Sequence, residues 1–269
     1  MLSEKDTLDT VRQAVFYRRR LQQPVCTIVL AWQVFPDTPV AFGANRDERL
    51  DRPSEPPRER QWGARVLAPA DEEAEGTWVG YNEHGVLAAI TNRWVDADLA
   101  AERSRGLLVR DAFGHQNAES AAQAVEQAIR EAEYDGFNLL LVDEDAAVLL
   151  EWDGQLAVRT LEPGVHVVVN VGADGDYLIP GHRPEVGERQ AASADRLRDH
   201  LQVEPGEDAE TWLDRAADAI GDHDFGVCVH GDGFGTRSSS LVTLGADRTY
   251  RFADGPPCET PYRPVESHI

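Results

Sequence analysis

Cys26-Thr-Ile-Val-Leu-Ala-Trp-Gln-Val34, a turn at Pro36-Asp37, and then Pro39-Val-Ala-Phe-Gly-Ala-Asn-Arg-Asp-Glu48 read as two antiparallel strands that deliver a dense polar tetrad. β-Branched and aromatic residues crowd both runs, and the Pro-Asp pair between them is a turn signal. The second run ends as a strand at Ala44, so Asn45-Arg46-Asp47-Glu48 is expected at the hairpin exit. No other stretch sets so much ionisable chemistry beside a candidate nucleophile.

Further along, residues 49–74 are rich in Pro, Arg and Glu and read as a long surface excursion with little regular structure. Gly76-Thr-Trp-Val-Gly80 and residues 86–91 form another strand pair, which ends at Asn92. Helices are predicted over 104–113 and 119–133; in the second, Ala121, Ala124, Val125, Ala128 and Ile129 share a face and Asn117 can cap. Residues 137–142, 147–152, 155–161 and 165–170 form a meander broken at Asp143-Glu-Asp145 and Asp153-Gly154. Helices at 188–201 and 209–220, the loop 229–237, and strands at 239–244 and 249–252 close the chain. This order gives an α+β fold, two antiparallel sheets packed together with helices outside them, in one domain over 26–269.

Composition excludes several classes. A formal net charge of -22 opposes nucleic acid and anionic lipid, which need clustered Lys and Arg. Lys5 is the sole lysine, and the acidic excess reads as a salt-adapted, halophilic surface. The longest apolar runs fall far short of a bilayer span. Three cysteines with no C-x-x-C pair fit a reducing cytoplasm.

Residues 1–25 differ from the rest, carrying five basic side chains against three acidic ones together with the only Met and the only Lys. They read as a native helix, a propeptide cleaved before Cys26, or the product of a misplaced start with initiation at Val25. The last is favoured, because an internal GUG start codon reads as valine. Cys26 would then lead the mature chain.

A thiol needs a base, and a free α-amine of pKa about 8 is well matched to a thiol of about 8.5. An N-terminal cysteine therefore carries its own base, the logic of N-terminal nucleophile hydrolases; otherwise Cys26 is an ordinary buried strand thiol. Asp47 can orient an α-ammonium, and Arg46 can grip a carboxylate or phosphate with its planar fork. Taken alone, the tetrad fits a solvated hairpin exit equally well. Asn92 and Asn170 are strand-ending asparagines that by themselves need no function. Residues 231–237 match neither phosphate-loop pattern and lead into a strand, although Arg237 is a candidate positioning cation near Cys26. The eight histidines show no zinc-ligand spacing, so no metal or other cofactor is expected. His182 and His230 are the available axial positions should haem bind.

Cys26-Thr27, Ala44-Asn-Arg-Asp-Glu48, Gly76-Thr-Trp-Val-Gly80, Leu87-Ala-Ala-Ile-Thr-Asn92, Asp135-Gly-Phe-Asn-Leu139, Asn170 and Thr236-Arg-Ser-Ser-Ser240 together resemble the NRDE family, whose eukaryotic namesake is the transport and Golgi organisation protein 2. Members begin Met-Cys, which agrees with a working chain led by Cys26. The resemblance implies an N-terminal nucleophile αββα four-layer sandwich, similar in layout to cysteine-type choloylglycine hydrolases and penicillin V acylases. It further implies Cys26 as nucleophile, Asp47 beside the amine, Asn92 and Asn170 at the oxyanion, and Arg237 as the late arginine. Those acylases place an arginine directly after the Phe-Gly pair; here Ala44 follows Phe42-Gly43, and Arg46 is the substitute two residues later. The expected activity is hydrolysis of a non-peptide carbon–nitrogen bond in a small molecule. The alternative, from the family's links to lipid, acyl-CoA and haem handling, is a non-catalytic carrier of haem or an acyl ligand.

Overall fold

In the first strand, β1 (Thr27–Phe35), Ile28, Leu30 and Trp32 point into one core and Val29 and Ala31 into another, and all five are buried. A strand apolar on both faces must be covered on both, which requires a layered architecture. The computed structural model describes residues 25–269; the leader set apart above lies, except for Val25, outside them.

β1 sits in an eight-stranded sheet. Along its order run β12 (Asp176–Tyr177), β11 (Gly172–Ala173), β10 (Gly164–Val169), β1, β2 (Thr38–Arg49), β13 (Phe234–Leu244), β14 (Thr249–Ala253) and β15 (Arg263–Pro264). The second sheet has β3 (Ser54–Trp62), β4 (Ala64–Asp71), β5 (Val79–Asn82), β6 (Leu87–Asn92), β7 (Phe137–Val142), β8 (Ala147–Trp152) and β9 (Leu156–Thr160) in sequence order. All pairings within both sheets are antiparallel.

One core lies between the sheets, where Leu30 and Phe42 of the first meet Leu67, Leu87 and Leu140 of the second. On the outer face of the second sheet pack α1 (Arg105–Ala112) and α2 (Ala118–Glu131), whose Leu108, Val109 and Val125 meet Leu139 and Leu141. On the outer face of the first pack α3 (Pro184–His200) and α4 (Ala209–Gly221), through Leu197, Trp212 and Ala216. The result is the αββα sandwich. Asn117 caps α2 as its position predicted, accepting from the Ser120 amide at 2.8 Å. Among the described residues no helix is long and apolar enough to cross a membrane.

Two sequence readings need correction. Residues 49–74 are not an irregular excursion, because β3 and β4 form a hairpin there that turns at Gly63 with φ +76°. The prolines that disguised it are tolerated because β3 is an edge strand, and Pro56-Pro57 fall where the register shifts between Glu55 and Arg58. The tetrad, in turn, does not leave a hairpin. β2 runs on through Arg49, pairing Asn45 with Ser239 and Asp47 with Thr236 on β13, which itself begins at Phe234, earlier than expected. Asn45, Arg46 and Asp47 are consequently buried.

At one end the two sheets are laced by asparagines. Asn138 of β7 donates to the Val169 carbonyl at 2.8 Å, and Asn170 donates to the Asn92 carbonyl at 2.7 Å. Close backbone approach completes this end: a Cβ on Gly136 would stand 2.5 Å from the Arg93 carbonyl oxygen. A Cβ on Gly76 would stand 2.4 Å from the carbonyl carbon of Gly106. Only glycine lets Thr77 and Trp78 lie against the start of α1, and that contact builds one wall of the cleft described next.

Candidate active site

Cys26 precedes β1 at the laced end and opens on a cleft of about 120 Å³. β2 supplies Arg46, Asp47 and Glu48 to it, the segment before β5 supplies Thr77 and Trp78, β6 ends in it at Asn92, and the start of α1 closes it with Ser104, Arg105 and Gly106. The Cys26 residue is partly exposed. Its thiol donates to the Asp47 carbonyl at 3.7 Å. Burial first, then the Asp47 charge, pushes the thiol up to about 12. With its nitrogen in a peptide bond, Cys26 is a protonated and weakly nucleophilic thiol.

Asp47 is 1% exposed, and one carboxylate oxygen accepts from the Thr236 hydroxyl at 2.6 Å. The other oxygen is buried without a hydrogen-bond partner among the described residues. Burial holds this carboxyl well above the usual carboxylate range, while the Thr236 bond acts the other way. A lone buried acid with an orphaned oxygen is costly unless a cation or proton meets it.

Arg46 is 7% exposed and stacks 4.0 Å from the Trp78 ring centroid, with an ion pair to Asp71 at 3.5 Å. Its other terminal nitrogen, Nη1, is buried and unpartnered among the described residues. Burial lowers its pKa, opposed by Glu48 and Asp71. Arg52 binds Asp71 more tightly, at 2.7 Å. Arg105, which sequence reasoning passed over, joins the same wall and donates to the Gly136 carbonyl at 2.7 Å. Its only signal in sequence was the serine and glycine that flank it at a helix start.

Of the residues expected from sequence, Cys26, Arg46, Asp47 and Asn92 meet in this cleft. Asn170 stands behind it, fully buried, its amide engaged by the Asn92 carbonyl and its oxygen by Gln190 at 2.9 Å. Arg237 occupies the register shift of β13, between Thr236 and Ser238, and pairs with Asp254 at 3.0 Å. Its neighbour Thr236, not Arg237, holds Asp47. Asn45 is a structural tie, donating to the Ile220 and Val227 carbonyls and accepting from Ser239. His182 faces Asp96 at 2.8 Å. His230 falls in a grouping the sequence concealed, with His223, Cys228 and Cys258, whose ligand atoms all lie within 4.8 Å of one another.

Comparison with known proteins agrees with this architecture. The family described as Transport and Golgi organisation 2 matches residues 25–255. The human Transport and Golgi organization protein 2 homolog is 29% identical over 237 residues, covering 79% of this chain and 84% of its own. Among solved structures, a variant of the conjugated bile acid hydrolase from Clostridium perfringens aligns with TM-score 0.50 at 13% identity, over 90% of this chain and 97% of its own. The Caenorhabditis elegans ortholog of N-acylethanolamine-hydrolyzing acid amidase gives 0.51 at 10% identity, over 80% and 92%. At these identities the structural likeness establishes the fold, that of the N-terminal nucleophile hydrolases.

Proposed function

The chain belongs to the Transport and Golgi organisation 2 family, and from that premise we propose that its working form begins at Cys26 and hydrolyses the amide bond of a small molecule. The observation that carries the reading is the orphaned oxygen of buried Asp47 beside Cys26. A liberated α-ammonium is the cation that satisfies it. The same group lowers the thiol's proton affinity, because a positive neighbour favours thiolate.

The chemistry then follows from position. Cys26 Sγ, as the thiolate paired with its α-ammonium, attacks the amide carbonyl carbon, and the ammonium hands a proton to the departing nitrogen as the carbon–nitrogen bond breaks, leaving a neutral α-amine. A thioester remains. Water, deprotonated by the same amine, cleaves it to release the acid and restore the thiol. Asn92 donates to the oxyanion, an interaction worth on the order of 100- to 1000-fold in rate. Asn170 is a positioning residue through the Asn92 carbonyl. Arg237, paired with Asp254 at the register shift, steadies Thr236 and thereby Asp47. The free Arg46 nitrogen suits an anionic group on the substrate. A cleft of about 120 Å³ lined by arginines and carboxylates favours a small polar group over haem or a long acyl chain, which need larger and more apolar pockets.

Intact mass of the protein purified from its native host tests the reading. Cys26 as first residue, with amide hydrolysis abolished by Cys26→Ala, is expected; an active chain that retains residues 1–25 contradicts it.

A further inference from the structure

A second cluster of nucleophilic and ligating groups lies on the other side of Thr236. His223 stands in the single helical turn His223–Phe225 that follows α4, Cys228 and His230 lie in the approach to β13, and Cys258 belongs to the turn after β14. One short stretch, residues 223–230, thus converges with the turn that carries Cys258. The Cys228 and Cys258 sulfurs are 3.5 Å apart, Cys258 Sγ is 3.1 Å from His230 Nε2, and Cys228 Sγ is 3.9 Å from that nitrogen. The His223 and His230 rings meet edge to face with centroids 5.1 Å apart.

We propose that His223, Cys228, His230 and Cys258 form a tetrahedral zinc site. With Zn–S near 2.3 Å and Zn–N near 2.0–2.1 Å, the edges of an S₂N₂ tetrahedron span roughly 3.3–3.8 Å; the distances among Cys228, His230 and Cys258 bracket that range, and His223 lies within 4.8 Å of each. Two thiolates balance the charge of a divalent ion, so the filled site is neutral. Four protein ligands leave no open position, which makes the site structural and not catalytic. A disulfide between Cys228 and Cys258 would account for the sulfurs but would leave two imidazoles turned on the pair without a role.

The site also bears on the first cleft. Val229, between two of the ligands, donates its N–H to the Thr236 hydroxyl and accepts the Thr236 N–H at its carbonyl, both at 2.8 Å. That hydroxyl in turn holds Asp47 at 2.6 Å. Metal at the cluster fixes the segment that orients Asp47. The metal site itself does not depend on the reading of Cys26.

Metal analysis of the purified full chain tests this, followed by replacement with Co(II). The result expected is one equivalent of zinc per chain, and for the cobalt form the visible bands of a tetrahedral ion with thiolate-to-metal charge transfer in the near ultraviolet. Cys258→Ser, on an exposed turn, should keep the fold but, lacking a direct ligand, fail to hold one equivalent of zinc through dialysis against a chelator, while Cys26→Ala retains the full equivalent. Zinc content equal in wild type and Cys258→Ser, a cobalt spectrum without charge transfer, or a mass showing Cys228 and Cys258 joined in the natively purified protein would each overturn the proposal.

Discussion

At the scale of single residues, Asp47 is the group on which the account turns. Its pKa lies well above the usual range because burial disfavours the charge. An acid shifted that way weakens folding as pH rises from the unfolded value of about 3.9 through the folded one. In the full-length chain, Asp47→Asn should therefore raise stability at neutral pH, by about 1–3 kcal/mol for a buried group relieved of its unmet bond. In a chain that begins at Cys26 the α-ammonium already meets that oxygen, and the gain should vanish or reverse. Denaturant unfolding of both forms at pH 7 checks this. The sequence made Asp47, Arg46 and Cys26 legible because their types are uncommon together at a strand. It could not reveal that Thr236 and Val229 complete the arrangement, since Thr236 is an ordinary strand residue placed by register and Val229 a loop residue placed only by its hydrogen bonds to Thr236.

At the scale of elements, the contact of β10 with the turn between β11 and β12 offers a second titration. His166 Nδ1 faces Asp174 at 2.7 Å and Nε2 faces the Glu162 carbonyl at 2.8 Å. Burial pulls its pKa down, yet the bond to Asp174 and its charge outweigh that, and the net direction is up. The stabilisation is fully present below the unfolded value of about 6.5 and is lost as pH rises through the folded value. Asp174→Asn should flatten this segment of the stability–pH curve, read by thermal unfolding from below the unfolded value of about 6.5 upward. The helices were legible from periodicity and caps to within a few residues. The β3–β4 hairpin was not, because the signals used for loops, proline and charge, are also those of an edge strand. Nor was the metal-ligand grouping, whose fourth member, Cys258, lies 28 residues beyond His230 and whose other three show no familiar ligand spacing.

At the scale of the whole molecule, alternating runs of strands and helices made the layered sandwich readable before any coordinates, whereas the lacing of the sheets by Asn138 and Asn170 required them. The net charge of -22 should make the fold salt-dependent, since self-repulsion acts across about 30 Å at 0.01 M salt and about 3 Å at 1 M. The thermal midpoint is expected to climb with added potassium chloride, by about 2–4 °C for each kcal/mol of repulsion removed; a midpoint indifferent to salt would count against a salt-adapted surface. The central claim is that the molecule works as an N-terminal nucleophile, and the pH–rate profile of Cys26 alkylation, followed by peptide mass, tests it most directly. A chain beginning at Cys26 should be alkylated at pH 7 about 10-fold or more faster than the full-length chain, whose thiol is held near 12. Equal, slow alkylation of both forms across the neutral range would contradict the account.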